Sequence, residues 1–128
     1  MGYIEIDPTT PGLGHPAQYY IERDCVIDCR GPLDISPLSN WGIGVRVITA
    51  THDTEAFGAV VHRPVVVAAG AWICSYAILY NCSIGENAIV AIGAVVRSMN
   101  VPANAMVEGN PARIVKVFMD GRWKRLCR

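Results

Sequence analysis

A six-residue repeat of apolar side chains runs through much of this 128-residue chain and constrains the fold more than any other feature. In each copy an apolar residue is followed four places later by a small residue or by valine. The clearest copies are Val67–Ala71, Ile73–Ala77, Ile84–Ala88 and Val90–Ala94, and the weaker ones are Ile35–Ser39, Trp41–Val45 and Val47–Thr51. A period of six does not match the 3.6-residue period of an amphipathic α-helix. It is typical of a parallel β-helix, in which short strands and tight corners alternate and three hexads complete one coil.

The repeat also predicts which side chains form the core. The first apolar residue of each copy should point into a narrow triangular interior. The residue four places later should lie at a corner, where space is scarce. Corners also require unusual backbone angles, which suits glycines such as Gly44 and Gly93.

The six-residue repeat is first interrupted between Val47 and Val67, which are 20 residues apart. Because 20 is not a multiple of six, we expect a loop at 53–64 that leaves the coil directly after His52. Loops carried by a rigid scaffold often hold functional residues, so this loop is expected to shape a site.

The second break lies between Ile73 and Ile84, which are 11 residues apart, one short of two hexads. The missing residue predicts a tightened corner within Leu79–Ser83.

We expect a single domain with three parts, because 128 residues leave no room for two domains. Residues 1–28 are predicted to be irregular, since their prolines and glycines argue against a helix. The β-helix is predicted over 29–101 and a C-terminal extension over 102–128. The extension contains a turn at Gly109–Pro111, a short strand at Ile114–Phe118, and a short helix or frayed end at Arg122–Leu126.

Composition excludes several classes of protein. An apolar fraction of 52% excludes wholesale disorder. No apolar run approaches the roughly 18 residues of a membrane-spanning helix, and the N-terminus lacks the basic and apolar segments of a signal peptide. Five cysteines are an odd number and lack zinc-type spacing, which indicates reduced thiols and a cytoplasmic protein.

The formal net charge of zero conceals an asymmetry along the chain. Residues 1–60 carry eight acidic and three basic side chains, a net charge of −5, whereas residues 61–128 carry three acidic and eight basic ones, a net charge of +5. A chain with this balance is not expected to bind nucleic acid, but its basic half could hold a phosphorylated ligand.

Three segments together resemble the hexapeptide-repeat acyltransferases, a family that includes galactoside, maltose and exopolysaccharide acetyltransferases. They are Val47–Asp53, Ala71–Ile73 with Ile84–Val96, and Glu108–Arg113. The resemblance covers roughly residues 29–117. It implies an all-β fold, a single-stranded left-handed parallel β-helix with one protruding loop.

The resemblance also implies an activity. Members of the family transfer an acetyl group from acetyl-coenzyme A to a hydroxyl or amine of a sugar or another small acceptor. They are homotrimers with active sites between subunits, so we expect a homotrimer with a small-molecule acceptor and without a metal, a nucleic acid or a membrane as partner.

His52 matches the family's catalytic histidine, which follows a Thr-Ala-Thr stretch. An imidazole titrates near neutral pH, so it can remove the acceptor's proton during attack on the thioester and then protonate the leaving thiolate. Asp53 and Glu55 follow directly and are candidates to hold the acceptor or orient the imidazole. The resemblance also assigns Trp72 to the acceptor end of the site. Direct transfer of this kind needs no cysteine nucleophile.

The donor-binding candidates also come from the resemblance. Ser75 and Ile92 match positions that contact the pantetheine arm, and Arg113 and Lys116 match basic positions near the nucleotide phosphates. Arg97-Ser98 departs from the family's usual Thr-Lys but retains a cation, so Arg97 is a further phosphate-binding candidate. Substitution of Arg113 is therefore expected to raise the KM for the donor more than the KM for the acceptor.

Two other functions are compatible with a β-helix. One is a catalytically silent trimeric scaffold. The other is a γ-type carbonic anhydrase, which requires three zinc-binding histidines, two of them five residues apart. Here His52 and His62 are ten residues apart, which argues against that reading.

Overall fold

The computed structural model describes residues 3–5 and 20–126, and this part of the chain consists of short strands with no helix. The strands are β1 (Tyr3–Glu5), β2 (Tyr20–Ile21), β3 (Val26–Asp28), β4 (Leu33–Ile35), β5 (Asn40–Trp41), β6 (Arg46–Ile48), β7 (Ala50–His52), β8 (Val60–His62), β9 (Val65–Val67), β10 (Trp72–Ile73), β11 (Ile78–Ile84), β12 (Ile89–Val90), β13 (Val95–Val101), β14 (Ala105–Glu108), β15 (Arg113–Met119) and β16 (Arg122–Arg125). The described residues contain no helix that could cross a membrane.

Three stacks of parallel strands form the three faces of a β-helix. Face A consists of β2, β5, β10, β12 and β14. Face B consists of β3, β6 and the first halves of β11 and β13. Face C consists of β4, β9 and the second halves of β11 and β13. The prediction of a parallel β-helix is confirmed.

The core follows the hexad pattern. The first residue of each clear copy is buried, and so is the alanine four places later; these residues are Val67, Ile73, Ile84, Val90, Ala71, Ala77, Ala88 and Ala94. Trp41 is also fully buried, and its indole N–H donates to Ser39 Oγ at 2.9 Å. Burial of this apolar column is the main force that stabilises the stacked coils.

The first coil begins earlier than the sequence predicts. Strands β2 and β3 lie within the predicted irregular segment 1–28, yet they pair in parallel with β5 and β6. Strand β1 pairs antiparallel with β3 and borders face B. The rest of that segment, with its prolines, lies outside the described residues.

Two corners between faces B and C are tightened, not one. Asn81, within the predicted Leu79–Ser83 segment, has φ 47°, and Ser98 in the next coil has φ 51°. Asn81 Nδ2 donates to Ser98 Oγ at 3.2 Å, so the two shortened corners stack. Ser98 forms the same kind of tight corner in its coil as Asn81 forms in the coil before. This shared corner gives a local structural reason why Arg97-Ser98 differs from the Thr-Lys that is usual in the family.

The β-helix runs beyond its predicted end at residue 101, because β14 still pairs in parallel with β12 on face A, and the rest of the C-terminal extension continues that face as an antiparallel sheet. Strand β15 pairs with β14 and contains the predicted strand at Ile114–Phe118. The segment expected to be a helix or frayed end is strand β16 over most of its length, and it pairs with β15. The Phe118 and Trp123 rings meet edge to face across this pair, with centroids 5.5 Å apart, which explains why the segment is ordered as a strand.

Candidate active site

A β-hairpin leaves the β-helix between faces B and C of the second coil. Its strands β7 and β8 pair antiparallel, with His52 opposite Val60 and Ala50 opposite His62. The excursion begins at Thr49, so His52 lies at the far end of the outgoing strand. The predicted loop 53–64 corresponds to the tip and the returning strand.

The hairpin and face B enclose a cleft of about 570 Å³, which we call the His52 cleft. Its wall on face B includes the row Ile48, Tyr80 and Arg97, which are neighbours across three consecutive coils. Strands in a sheet are about 4.8 Å apart, so Arg97 lies about 10 Å from Ile48 along this row. The cleft thus brings together two predicted site residues, His52 and Arg97, that are 45 positions apart.

The His52 imidazole is exposed in this cleft and has no hydrogen-bond partner among residues 3–5 and 20–126. Its ring nitrogens are therefore available to an incoming substrate. A proton-transfer catalyst needs such access to the atom it deprotonates.

Asp53 lines the cleft and also folds the hairpin tip. Its Oδ1 accepts the backbone N–H groups of Glu55 at 2.7 Å and Ala56 at 3.1 Å. These bonds hold the pKa of the Asp53 carboxyl below its ordinary value, with the Ala56 N–H as the larger cause. Glu55 lies at the exposed tip and does not line the His52 cleft.

Arg63 lines the same cleft and was not found from the sequence. Its backbone N–H donates to Thr49 O at 2.8 Å and closes the base of the hairpin. With Arg97 it gives the cleft two guanidinium groups, and no ion pair of either is found among the described residues. Nothing in the repeat pattern predicts this position, because Arg63 lies in the excursion.

Trp72 and Ser75 lie on a different face. They line a second cleft of about 730 Å³ over face A, which we call the Trp72 cleft, together with Tyr20, Glu22 and Asn40. Trp72 is 53% exposed. The Tyr20 hydroxyl donates to Glu22 Oε1 at 2.6 Å, and this bond raises the pKa of Tyr20. Sequence reasoning missed Tyr20 and Glu22 because the repeats of the first coil are weak, and it also missed Asn40, which lies on β5 of the second coil.

The remaining donor-binding candidates lie apart from both clefts. Ile92 is 75% exposed at the corner between faces A and B of the fourth coil. Arg113 lines a cleft of about 590 Å³ with Arg125, beside the turn that follows β14. Lys116 lies on β15 between Met106 and Arg125 of the neighbouring strands.

The described part of the chain offers neither a cluster of metal ligands nor a reactive thiol at Cys74 or Cys82. Within residues 3–5 and 20–126, no three His, Cys, Asp or Glu side chains cluster as metal ligands. Burial raises the pKa of the Cys82 thiol to about 12 and also raises that of Cys74. Both thiols are thereby kept protonated, which makes them poor nucleophiles.

Comparison with solved structures identifies the fold, although no protein-family model matches the chain. A hexapeptide-repeat acetyltransferase from Vibrio cholerae O1 biovar eltor, complexed with acetyl-coenzyme A, is similar with a TM-score of 0.73 and 25% identity over 80% of this chain and 58% of that chain. A maltose O-acetyltransferase from Clostridium difficile 630 is similar with a TM-score of 0.67 and 26% identity over 76% of this chain and 54% of that one.

A galactoside acetyltransferase in complex with coenzyme A has the same fold, with a TM-score of 0.74 and 16% identity over 86% of this chain and 63% of that one. The chain spans less than two thirds of the length of each of these proteins. Its described part has the same left-handed parallel β-helix fold as these acetyltransferases.

Proposed function

We propose that this chain transfers an acetyl group from acetyl-coenzyme A to a hydroxyl or amine of a small, sugar-like acceptor, with His52 as the general base. The observation that carries the proposal is the exposed imidazole of His52 in a cleft whose other end holds Arg97. The likeness to acetyltransferases supports the reaction class, and the similar structure that is complexed with acetyl-coenzyme A supports the thioester donor.

Transfer would be direct. His52 takes the proton of the acceptor oxygen or nitrogen as that atom attacks the thioester carbonyl carbon. The tetrahedral intermediate then collapses, the carbon–sulfur bond breaks, and the imidazolium returns its proton to the leaving thiolate. The acetyl group has then moved to the acceptor and the acceptor's proton to the thiol of coenzyme A, and the imidazole has returned to its starting state.

The donor would run along face B away from His52. Arg97, two coils from Ile48, would meet a phosphate of coenzyme A, since a guanidinium suits bidentate contact with phosphate oxygens. Ser75, Ile92, Arg113 and Lys116 remain candidates for other parts of the donor. Asp53 and Trp72 remain candidates for the acceptor, and Glu55 would reach it only from the hairpin tip.

A homotrimer would complete the site. The His52 and Trp72 clefts lie on different faces of one chain, so a site that contains both needs two subunits. Packing face A of one subunit against face B of the next, around a threefold axis, would bring the clefts together and would cover exposed Trp72, Tyr20 and Ile48. The four free cysteines among the described residues suit the proposed cytoplasmic location.

Release of free thiol from acetyl-coenzyme A in the presence of a panel of sugars, amino sugars and amines tests the function. Replacing a general base should lower kcat by about 10²- to 10⁴-fold, which we expect for His52→Ala. Coenzyme A should still raise the Tm of this variant, because His52 is not needed to hold the donor.

His62→Ala is the matched control, since His62 lies on the returning strand of the same hairpin and does not line the cleft. It should leave kcat nearly unchanged. If coenzyme A does not shift the Tm of the wild type and His52→Ala alters transfer to no acceptor, the scaffold function replaces the proposed one.

A further inference from the structure

A buried carboxylate in the first coil holds the base of the hairpin that carries His52. Asp28, at the end of β3, is only 1% exposed. Its Oδ2 accepts the backbone N–H groups of Thr49 and Ala50, each at 3.1 Å. The Thr49 hydroxyl donates to the Asp28 carbonyl oxygen at 2.9 Å and accepts the Gly31 N–H at 2.8 Å.

Arg30 donates three further hydrogen bonds to the Asp28 carboxylate. Its Nε donates to Asp28 Oδ1 at 2.8 Å, its Nη2 to Oδ2 at 3.0 Å, and its backbone N–H to Oδ1 at 3.0 Å. The Arg30 guanidinium also stacks over the Tyr3 ring, with 4.9 Å between Cζ and the ring centroid. A buried charge is tolerated only when it is paired and hydrogen-bonded, and Asp28 meets both conditions.

The hairpin needs such an anchor because it leaves the coil stack. Strands β7 and β8 pair only with each other among the described strands. Thr49 and Ala50 are the first residues of the excursion, and their N–H groups donate to the Asp28 carboxylate rather than to a neighbouring strand. Ala50 precedes His52 by two residues, so the direction of the backbone at Ala50 decides where the imidazole lies over face B.

We infer that Asp28 is a positioning residue for His52: its carboxylate fixes the exit direction of β7 and thereby holds the imidazole in the cleft with Arg97. The catalytic part of this inference rests on the proposed function, whereas the geometric part does not. Misplacement of a catalytic group by about 1 Å can cost on the order of 100-fold in rate.

Three variants separate the contributions of the carboxylate. Asp28→Ala removes the acceptor for Thr49 and Ala50. Asp28→Asn keeps the size and one acceptor oxygen and should partly rescue the loss. Arg30→Met removes the guanidinium but leaves both oxygens for the hairpin, so its effect on kcat should be smaller than that of Asp28→Ala.

Val101→Ala is the control for a general loss of stability, because Val101 is buried on face C, away from both clefts. We expect Asp28→Ala to lower kcat on the order of 100-fold with little change in the KM for acetyl-coenzyme A. Val101→Ala should lower the Tm without this loss of kcat. An unchanged kcat in both Asp28 variants, or a change confined to KM, would overturn the inference.

Nuclear magnetic resonance provides a readout that does not depend on turnover. In Asp28→Asn, amide exchange at Thr49 and Ala50 should accelerate and the His52 ring resonances should shift, whereas neither should change in Val101→Ala. Unchanged His52 resonances in Asp28→Asn would refute the positioning role. If the wild type transfers no acetyl group, the proposed function fails, but this measurement still decides whether Asp28 positions His52.

Discussion

His52 and Trp72 lie on different faces of the same β-helix. His52 extends over face B from the protruding hairpin, whereas Trp72 extends from β10 on face A. The family resemblance implies that both residues belong to one active site, yet one chain separates them into two clefts. Under the proposed function each chain therefore carries two half-sites, and an intact site combines half-sites from two subunits.

Two inactive variants should restore activity in mixed oligomers. When His52→Ala and Trp72→Ala chains are unfolded together and refolded in equal amounts, about a quarter of the interfaces in a threefold-symmetric trimer should pair an intact His52 with an intact Trp72. Transfer activity should then recover to about a quarter of the wild-type value. No recovery would indicate that both residues act within one subunit.

A control pair uses two residues of the same cleft. His52→Ala mixed with Arg97→Ala should not recover activity when the donor concentration is below its KM, because both residues belong to the face B half-site. Recovery in this pair would contradict the assignment of both residues to one half-site.

Acid should remove the stabilisation that Asp28 provides. Hydrogen bonds from the Arg30 side chain, and next from the Arg30 and Thr49 backbone N–H groups, hold the pKa of Asp28 well below its ordinary value, against the opposing effect of burial. A carboxyl with a lowered pKa in the folded state stabilises the fold above the unfolded value of about 3.9, and this contribution is lost as the pH falls below it.

Denaturant unfolding of the wild type and Asp28→Asn at several pH values measures this effect. The wild type should have the larger free energy of unfolding at pH 7, and the difference should narrow progressively below about pH 4. Asp53 also has a lowered pKa, but it is present in both proteins and its effect cancels in the comparison. A difference that is independent of pH would contradict the charge-paired state of Asp28.

Two corner glycines with similar backbone angles should respond differently to alanine. Gly44 has φ 72°, and a Cβ there would lie 2.5 Å from Cε1 of Tyr76, whereas Gly93 has φ 68° and a Cβ there would meet nothing within 4 Å. Gly93→Ala should lower the free energy of unfolding by about 1 kcal/mol, the cost of a left-handed angle. Gly44→Ala should cost more, and Tyr76→Gly in the same chain should relieve the excess.

A better-suited residue at the tight corner of Ser98 should stabilise the fold. Ser98 has φ 51°, an angle that asparagine adopts more readily than serine. We expect Ser98→Asn to raise the free energy of unfolding by about 0.5 kcal/mol and Ser98→Val to lower it. Ser83→Asn is the matched control on face C, where the backbone is extended and no gain is expected.

Much of the fold follows from the sequence because the hexad period reports the local geometry of each coil. The period locates the inward positions, such as Ile73 and Val90, and its interruption locates the excursion within the second coil. The start of the first coil was missed because β2 and β3 have weak hexads, and these strands are stabilised by pairing with β5 and β6. Their identity as strands therefore depends on neighbours that the local sequence does not reveal.

The sequence by itself determined that this chain is a β-helix with an apolar core, tight corners and a loop that should leave the coil directly after His52. The structure shows that the excursion begins earlier, at Thr49, so His52 lies on its outgoing strand. Only the tertiary structure decided which side chains meet across coils. Partners in neighbouring coils are 20 residues apart for Tyr20 and Asn40, 32 for Asn40 and Trp72, and 17 for Trp72 and Ile89. The repeat fixes whether a side chain points inward or outward, but each insertion or shortened corner changes the register of the next coil. The register between coils therefore decides the contact of Asp28 with Thr49 and the separation of His52 from Trp72. This register is known only once the hydrogen bonds between the strands are known.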